Sequence, residues 1–297
     1  MTTSPVVSSP KKSAPKKPPR KKATGASFLR AAPSTIILWV VALLYLIPLL
    51  WFLLSSFKPG SELFSLPLKL FPDNWTVSGY TTAWNRFDFQ QYFINTATVA
   101  IITTALTVLV SAMTGYAFAK YKAWWLKAFF VCILATTMLP TEVIMPSSFV
   151  VIRDLGLYDT LAGIIVPSII TATGIFMFRQ YFSTVPDELM EAARIDGIGE
   201  FRLFTKIMLP LAKPIAVVLA ICSFQWRWND YIWPLLVLRD PDRYTLQVAL
   251  RSIVGADNID WSVLLSAAII SLIPMLILFI IFQRQITSAD INSGLKD

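Results

Sequence analysis

Thr35–Ser56 is a run of 22 residues without a charged side chain, and comparable apolar runs recur as far as Phe282. About 20 such residues span the ~30 Å hydrocarbon core of a bilayer. Inside that core every backbone N–H and C=O must find a partner within the protein, so only helices and closed barrels cross it. The runs here are continuous rather than alternating, which predicts helices and excludes a barrel. Composition agrees: 55% of the 297 residues are hydrophobic and 15% are charged, where soluble domains carry about 25% charge. The chain reads as an all-α, polytopic membrane protein.

Six spans account for the runs. The first is Thr35–Ser56, too long for a signal-peptide core and with no A-x-A site after it, hence an uncleaved helix. A polar stretch over 57–93 leads to a second span, Ile94–Ala119. The third runs from about Ala128 to Val150, interrupted by Pro140, Glu142 and Pro146. The fourth is Thr160–Phe178, the fifth begins near Pro214 and the sixth is Ser262–Phe282. Residues 1–34, rich in Lys, Pro, Ser and Ala, cannot bury a core and are expected to be disordered. A topogenic tail beside anionic lipid is the plainer reading of that stretch, ahead of a nucleic-acid arm. The transmembrane domain is then 35–283, with a short tail over 284–297.

Lys and Arg residues accumulate on cytoplasmic segments. With the N-terminus inside, 18 of them fall on the tail, the 120–127 loop, the 179–213 segment and the C-terminus, against 8 on the opposite side. Both termini are therefore expected in the cytoplasm. No Gly-x-x-x-x-Gly-Lys-Ser/Thr segment occurs, so an ATP-binding loop would have to come from another subunit. No internal repeat is evident.

Catalysis is disfavoured. The chain has no histidine, the commonest general base, and no nucleophile–base pair or cluster of metal ligands. Cys132 and Cys222 lie in apolar runs and are expected to be buried, inert thiols. Glu142 is a carboxylate set apart in an apolar run, either lining a solute path or wetted at the outer interface. The fifth span carries a polar and aromatic cluster, Gln225 to Leu235, with Trp228, Asn229 and Asp230 at its centre. Apolar residues resume after it, so a long fifth helix would place the cluster inside the membrane, with Arg227 and Asp230 paired on one face. An interfacial aromatic belt at the end of a shorter helix is the other reading.

Between the fourth and fifth spans lies the one long charged block, Asp187–Pro210. Thr184 can cap a helix with Asp187 as its capping-box acid, and Asp187 and Glu188 suit the first turn. Leu189, Ala192 and Ala193 share a face. Gly197 and Gly199 should end or bend this helix. A second helix then places Phe201, Phe204 and Met208 on one side.

The same block carries Glu191-Ala192-Ala193, then Gly197 after three residues, then Ile207-x-Leu209-Pro210 after nine more. This closely resembles the EAA motif of the membrane subunits of ATP-binding-cassette (ABC) importers. Trp228-Asn229-Asp230-Tyr231-x-Trp233-Pro234-Leu235, Tyr244-Thr245-Leu246-x-Val248-Ala249-Leu250 and Phe282-Gln283-Arg284 resemble sugar-importer permeases of the maltose-transporter second-subunit type. Asp230 stands where that family usually has Glu, and the C-terminal Ser288–Asp297 departs from the family's Gly-rich ending. The resemblance implies the six-helix fold of type I importer permeases in a bacterial or archaeal plasma membrane. It implies a second permease as heterodimer partner, two cytoplasmic ATPase subunits that bind the ATP and Mg²⁺, and an extracytoplasmic sugar-binding protein. It assigns Glu191, Ala192, Ala193, Gly197, Ile207, Leu209 and Pro210 to ATPase coupling. Solute-path candidates are Glu142, Gln225, Trp228, Asn229 and Asp230. A polyol or sugar phosphate is the alternative cargo. An ion-coupled secondary transporter or a membrane enzyme would leave the EAA block without a role.

Reporter fusions at Gly60, Lys122, Asp196 and Asp257 should read outside, inside, inside and outside. An external reading at Asp196 would put the motif beyond reach of any ATPase.

Overall fold

The structure, a computed structural model, describes residues 25–67, 69–86, 88–254 and 259–294. Most of the basic tail and the reporter position Asp257 lie outside them. Every regular element among the described residues is helical. The chain divides into two compact units, residues 1–51 and 52–297.

The first unit is carried by helix α1, Gly25–Ser55, which holds the 21-residue span Thr35–Ser55. The expected tail boundary at residue 34 falls inside this helix. The second unit opens with two short helices, α2 (Gly60–Leu63) and α3 (Ser78–Arg86). Its axis is α4, Phe89–Lys120, a 32-residue helix that starts five residues before the expected second span. The buried face of α4 carries Thr96, Ala100, Thr103, Thr107, Ser111 and Gly115. From Thr103 to Gly115 these recur every fourth residue, and small residues at that spacing let helices approach closely in a membrane. A Cβ on Gly115 would lie 2.6 Å from Phe178 Cβ and 2.8 Å from the Arg179 backbone nitrogen; one on Gly174 would lie 2.5 Å from Ser111 Oγ.

Three of the expected spans are broken. The third consists of α5 (Trp124–Thr136) and α6 (Thr141–Asp154), which meet at 109° instead of forming one crossing over 128–150. Pro140 sits at the start of α6, where its fixed φ suits a helix beginning and its missing N–H would end one. Pro146 stays inside α6. The fourth span, Leu161–Ser183, contains α7 (Leu161–Ser168) and α8 (Ala172–Ser183). Thr160 and Thr171 cap these two helices, each hydroxyl accepting a backbone N–H three residues on. The fifth span is not the long helix expected: α12, Lys213–Trp228, stops at Asn229, and a separate helix α13 covers Ile232–Val237. A helix that the apolar pattern did not predict, α14 (Leu246–Val254), precedes the last one, α15 (Trp261–Gly294). The backbone of α15 runs helical past Gln283, through most of the segment expected to be a tail. By length and composition four helices can cross a membrane alone, and up to six spans result if each bent pair counts as one.

The N-terminal end of α4 is pinned by side-chain hydrogen bonds. Asn95 Nδ2 donates to the carbonyls of Asp242 (2.9 Å) and Tyr244 (3.1 Å), and Thr96 Oγ1 accepts from the Leu246 N–H at 2.7 Å. The thiols are not buried as expected: Cys132 is exposed on α5 and Cys222 is half-buried.

Gly115→Ala should lower the midpoint of detergent-phase thermal unfolding, because overpacking costs ~1–3 kcal/mol. Gly60→Ala, with nothing within 4 Å of the new Cβ, should not. Equal midpoints would show that the α4–α8 contact relaxes freely.

Candidate functional site

The charged block folds as a helix, a glycine stop and a second, irregular helix. Helix α9, Asp187–Ile195, opens after Pro186, with Asp187 and Glu188 in its first turn and Arg194 in its last, each on the favourable end of the dipole. Thr184 does not cap it: its hydroxyl donates back to the Tyr181 carbonyl, at the end of α8. Gly197 has φ +77°, and its N–H bonds to the Arg194 carbonyl while the Ile198 N–H bonds to the Ala193 carbonyl, both at 3.0 Å. This is a Schellman stop, which favours glycine at the left-handed position. No atom lies within 4 Å of where a Gly197 Cβ would sit. Backbone conformation, not crowding within the chain, therefore calls for this glycine.

Next come α10 (Glu200–Leu203), a π-helical turn over Phe204–Met208 and α11 (Leu209–Leu211). Pro210 has no N–H to continue an α ladder, and the widened turn precedes it. After Ala212 the chain turns by 76° into α12.

The buried face of α9 is Met190 and Ala193, while Leu189 and Ala192 are exposed. Met190 and Ala193 pack with Leu203, Phe204 and Met208 against Tyr116, Phe178 and Phe182 of α4 and α8. Phe204 and Met208 face this core as expected. Phe201, however, is 76% exposed and Ile195 is 86% exposed. Of the motif residues, Glu191, Ala192, Gly197 and Pro210 are exposed, Ile207 and Leu209 half-buried and Ala193 buried.

Polar contacts fasten the block to the end of α4. Lys120, its side chain 3% exposed, donates to the Val185 carbonyl and to Asp187 Oδ1, the latter at 2.7 Å. This hydrogen bond and the lysine's charge hold the Asp187 carboxyl below its ordinary range. Glu200 accepts from Tyr121 Oη at 2.6 Å and from Arg194 Nε at 2.8 Å, with Tyr116 Oη at 3.4 Å.

A second feature lies where the broken helices converge. A cavity of about 720 Å³ is lined from the start of α6 by Thr141, Ile144, Met145 and Ser148. Pro167, Ser168, Ile170 and Thr171 line it at the α7–α8 break, and residues between Gln225 and Trp233 at the α12–α13 break. Arg227 Nη1 donates to Ser168 Oγ at 2.7 Å and to Asp230 Oδ2 at 3.0 Å. The expected pair forms, but Asp230 sits just past the end of α12, so the pair closes a bend rather than lying along a helix.

Of the path candidates, Gln225, Asn229 and Asp230 line the cavity. Glu142 does not; it is exposed in the first turn of α6. Trp228 does not either. It is 1% exposed, packs on Phe93 and Phe224, and donates from Nε1 to the Ser271 carbonyl at 3.0 Å. Trp228 thus pins α12 to α4 and α15. Thr141, Ser148, Ser168 and Thr171 line the cavity without having stood out as solitary hydroxyls in the sequence. The signal that could have found them is their position beside prolines and at the span interruptions.

Just before α7, Asp159 clasps the loop after α13. Its Oδ1 accepts the backbone N–H of Arg239 (2.9 Å) and Asp240 (3.1 Å). These two bonds hold the Asp159 carboxyl below its ordinary range, with Arg243 adding to them.

Residues 107–289 match the family described as "Binding-protein-dependent transport system inner membrane component". The chain is 35% identical over 265 residues to the arabinooligosaccharides transport system permease protein AraQ of Bacillus subtilis, covering 88% of this chain and 94% of that protein. It is 30% identical over 266 residues to the diacetylchitobiose uptake system permease protein NgcG of Streptomyces coelicolor, covering 88% and 87%. Among solved structures, a chain of a bacterial ABC transporter involved in the import of the acidic polysaccharide alginate matches with TM-score 0.79. That match has 23% identity and covers 89% of this chain and 99% of that one, a likeness of fold.

Lys120→Met should destabilise the chain more than Asp187→Asn. The first leaves the Val185 carbonyl without its buried donor, a loss of ~1–3 kcal/mol, while Asp187 is already more than half exposed. Unfolding midpoints and protease sensitivity across 184–200 measure this. Equal effects would remove the carbonyl contact from the account.

Proposed function

The chain belongs to the family of inner membrane components of binding-protein-dependent transport systems, and from this we propose that it is the sugar-conducting permease subunit of an ABC importer. The observation that carries the mechanism is the seating of the EAA block. It is fixed to α4 by Lys120, Tyr116 and Tyr121, yet it turns Leu189, Ile195 and Phe201 outward. Exposed apolar side chains at the tip of a charged helix–turn–helix suit insertion into a cleft of another protein.

In this reading each of two cytoplasmic ATPases, which hold the ATP and Mg²⁺, grips the α9 tip of one permease. A second permease completes the path. An extracytoplasmic binding protein delivers the sugar near the loop clasped by Asp159. Both termini are cytoplasmic, in a bacterial or archaeal plasma membrane, and this subunit performs no chemistry of its own. Closure of the ATPases moves α9, and the clamp and shared apolar core carry that movement to α4 and α8. The cavity at the converging breaks is this chain's share of the sugar path. Its hydroxyls and amides match sugar hydroxyls, and Trp226 offers an exposed face for a sugar ring.

Gly197→Asp tests the reading. A side chain at φ +77° costs ~1 kcal/mol or more, which a packed chain can absorb, and it projects into open space on the face offered to the ATPase. The variant should reach the membrane at normal level but lose ATPase co-purification and sugar uptake. A normal complex with normal uptake would show that the block is only a loop.

A further inference from the structure

The cavity contains two charged side chains among its lining residues, and they neutralise each other. Arg227 and Asp230 pair at 3.0 Å with side chains 22% and 17% exposed. We infer that this pair makes the cavity selective for uncharged sugars and excludes acidic sugars and sugar phosphates. The inference rests on the reading of the cavity as part of the sugar path and names its substrate class.

A protein binds a carboxylate or phosphate with a free guanidinium or ammonium, or with the bare N–H groups of a helix N-terminus. At this cavity the charge of the one guanidinium is already countered by a carboxylate. Arg227 Nη1 is shared between Asp230 and the Ser168 hydroxyl. At the N-terminus of α8 the Thr171 hydroxyl takes up the Gly174 N–H. The N-terminus of α6 carries Glu142 in its first turn. An anion approaching Arg227 would also meet Asp230, whose repulsion is strong in a partly dry site.

An uncharged sugar meets no such penalty. Its hydroxyls can donate to Asp230 and accept from the remaining guanidinium N–H groups without breaking the pair. Ser148, Gln225 and Asn229 supply further contacts that both donate and accept.

The test uses the complete importer complex purified from membranes and held with a non-hydrolysable ATP analogue, without its binding protein, so that only the membrane path is read. Binding of arabinotriose, maltotriose and diacetylchitobiose is compared with that of trigalacturonate and glycerol 3-phosphate. At least one uncharged sugar should bind about tenfold or more tighter than either anion, the scale of one charge contact in a partly wet site. Asp230→Asn unmasks Arg227 and should raise anion binding by a similar factor. Arg227→Gln together with Asp230→Asn should leave the preference for uncharged sugars in place.

Anion binding by the wild-type complex as tight as that of every uncharged sugar would overturn the inference, whether or not the variants fold. So would an unchanged ratio in an intact Asp230→Asn complex. Binding of none of the probes, with the ATPase still attached, would overturn it while leaving the importer reading standing. A wild-type chain that carries no ATPase would overturn that reading and this inference with it.

Discussion

The close approach of α8 to α4 is the contact on which the rest of the second unit depends. Lipid tails are as apolar as leucine, so helices in a membrane gain little from hiding side chains and associate through tight packing and hydrogen bonds. The stripe Thr103, Thr107, Ser111, Gly115 supplies the packing, and Thr107 supplies a hydrogen bond. Gly115 lets the backbone at Phe178–Arg179 close in. Thr107 donates to the Ser168 carbonyl at 3.2 Å, which the α7–α8 break has left without a full helical ladder beyond it. The same helix that packs α8 therefore also helps to make the break beside it tolerable, and that break supplies part of the cavity lining.

Helix α4 also links two clasped segments of the unit. Its 32 residues extend ~48 Å at 1.5 Å per residue. Asn95 and Thr96 hold the 242–246 segment at one end, and Lys120 holds the start of α9 at the other. A rigid body anchored at both ends transmits tilt better than a chain of loops. One helix thus connects the start of α9 to the 242–246 segment, with the aromatic cluster of Tyr116, Phe182 and Phe204 packed at its C-terminal end.

The features legible in the sequence are those set by local chemistry. The apolar runs mark the helices, and Gly197 marks the stop of α9 because only its left-handed φ completes the turn. The Arg227–Asp230 pair was legible because two charges three apart in an apolar stretch need each other. What stayed hidden is set by tertiary packing. The periodicity of α9 fits a stripe through Leu189 or one through Met190, and the core formed by Phe182 and Phe204 chooses Met190. Thr184 has the chemistry of a cap, but α8 uses its hydroxyl first. Trp228 resembles a path residue beside Asn229 and Asp230, yet a one-residue step along a helix turns it by ~100° into the contact with Ser271. Glu142 fails as a lining residue for a related reason: Pro140 resets the direction of α6, and its neighbour Thr141 takes the inward position.

The breaks in the helices are where local preference and the global fold part company, and such conflicts concentrate at functional sites. Irregular backbone at membrane depth survives only where protein or a water-filled cavity satisfies it. Ser168 precedes one break and Asp230 lies within another, and Arg227 binds both from the last turn of α12. A cation in that turn is also favoured by the dipole of its own helix. The guanidinium thus serves as a cross-tie between two interruptions that would otherwise be independent. The cation that joins the two interruptions lines the cavity together with the carboxylate that balances it.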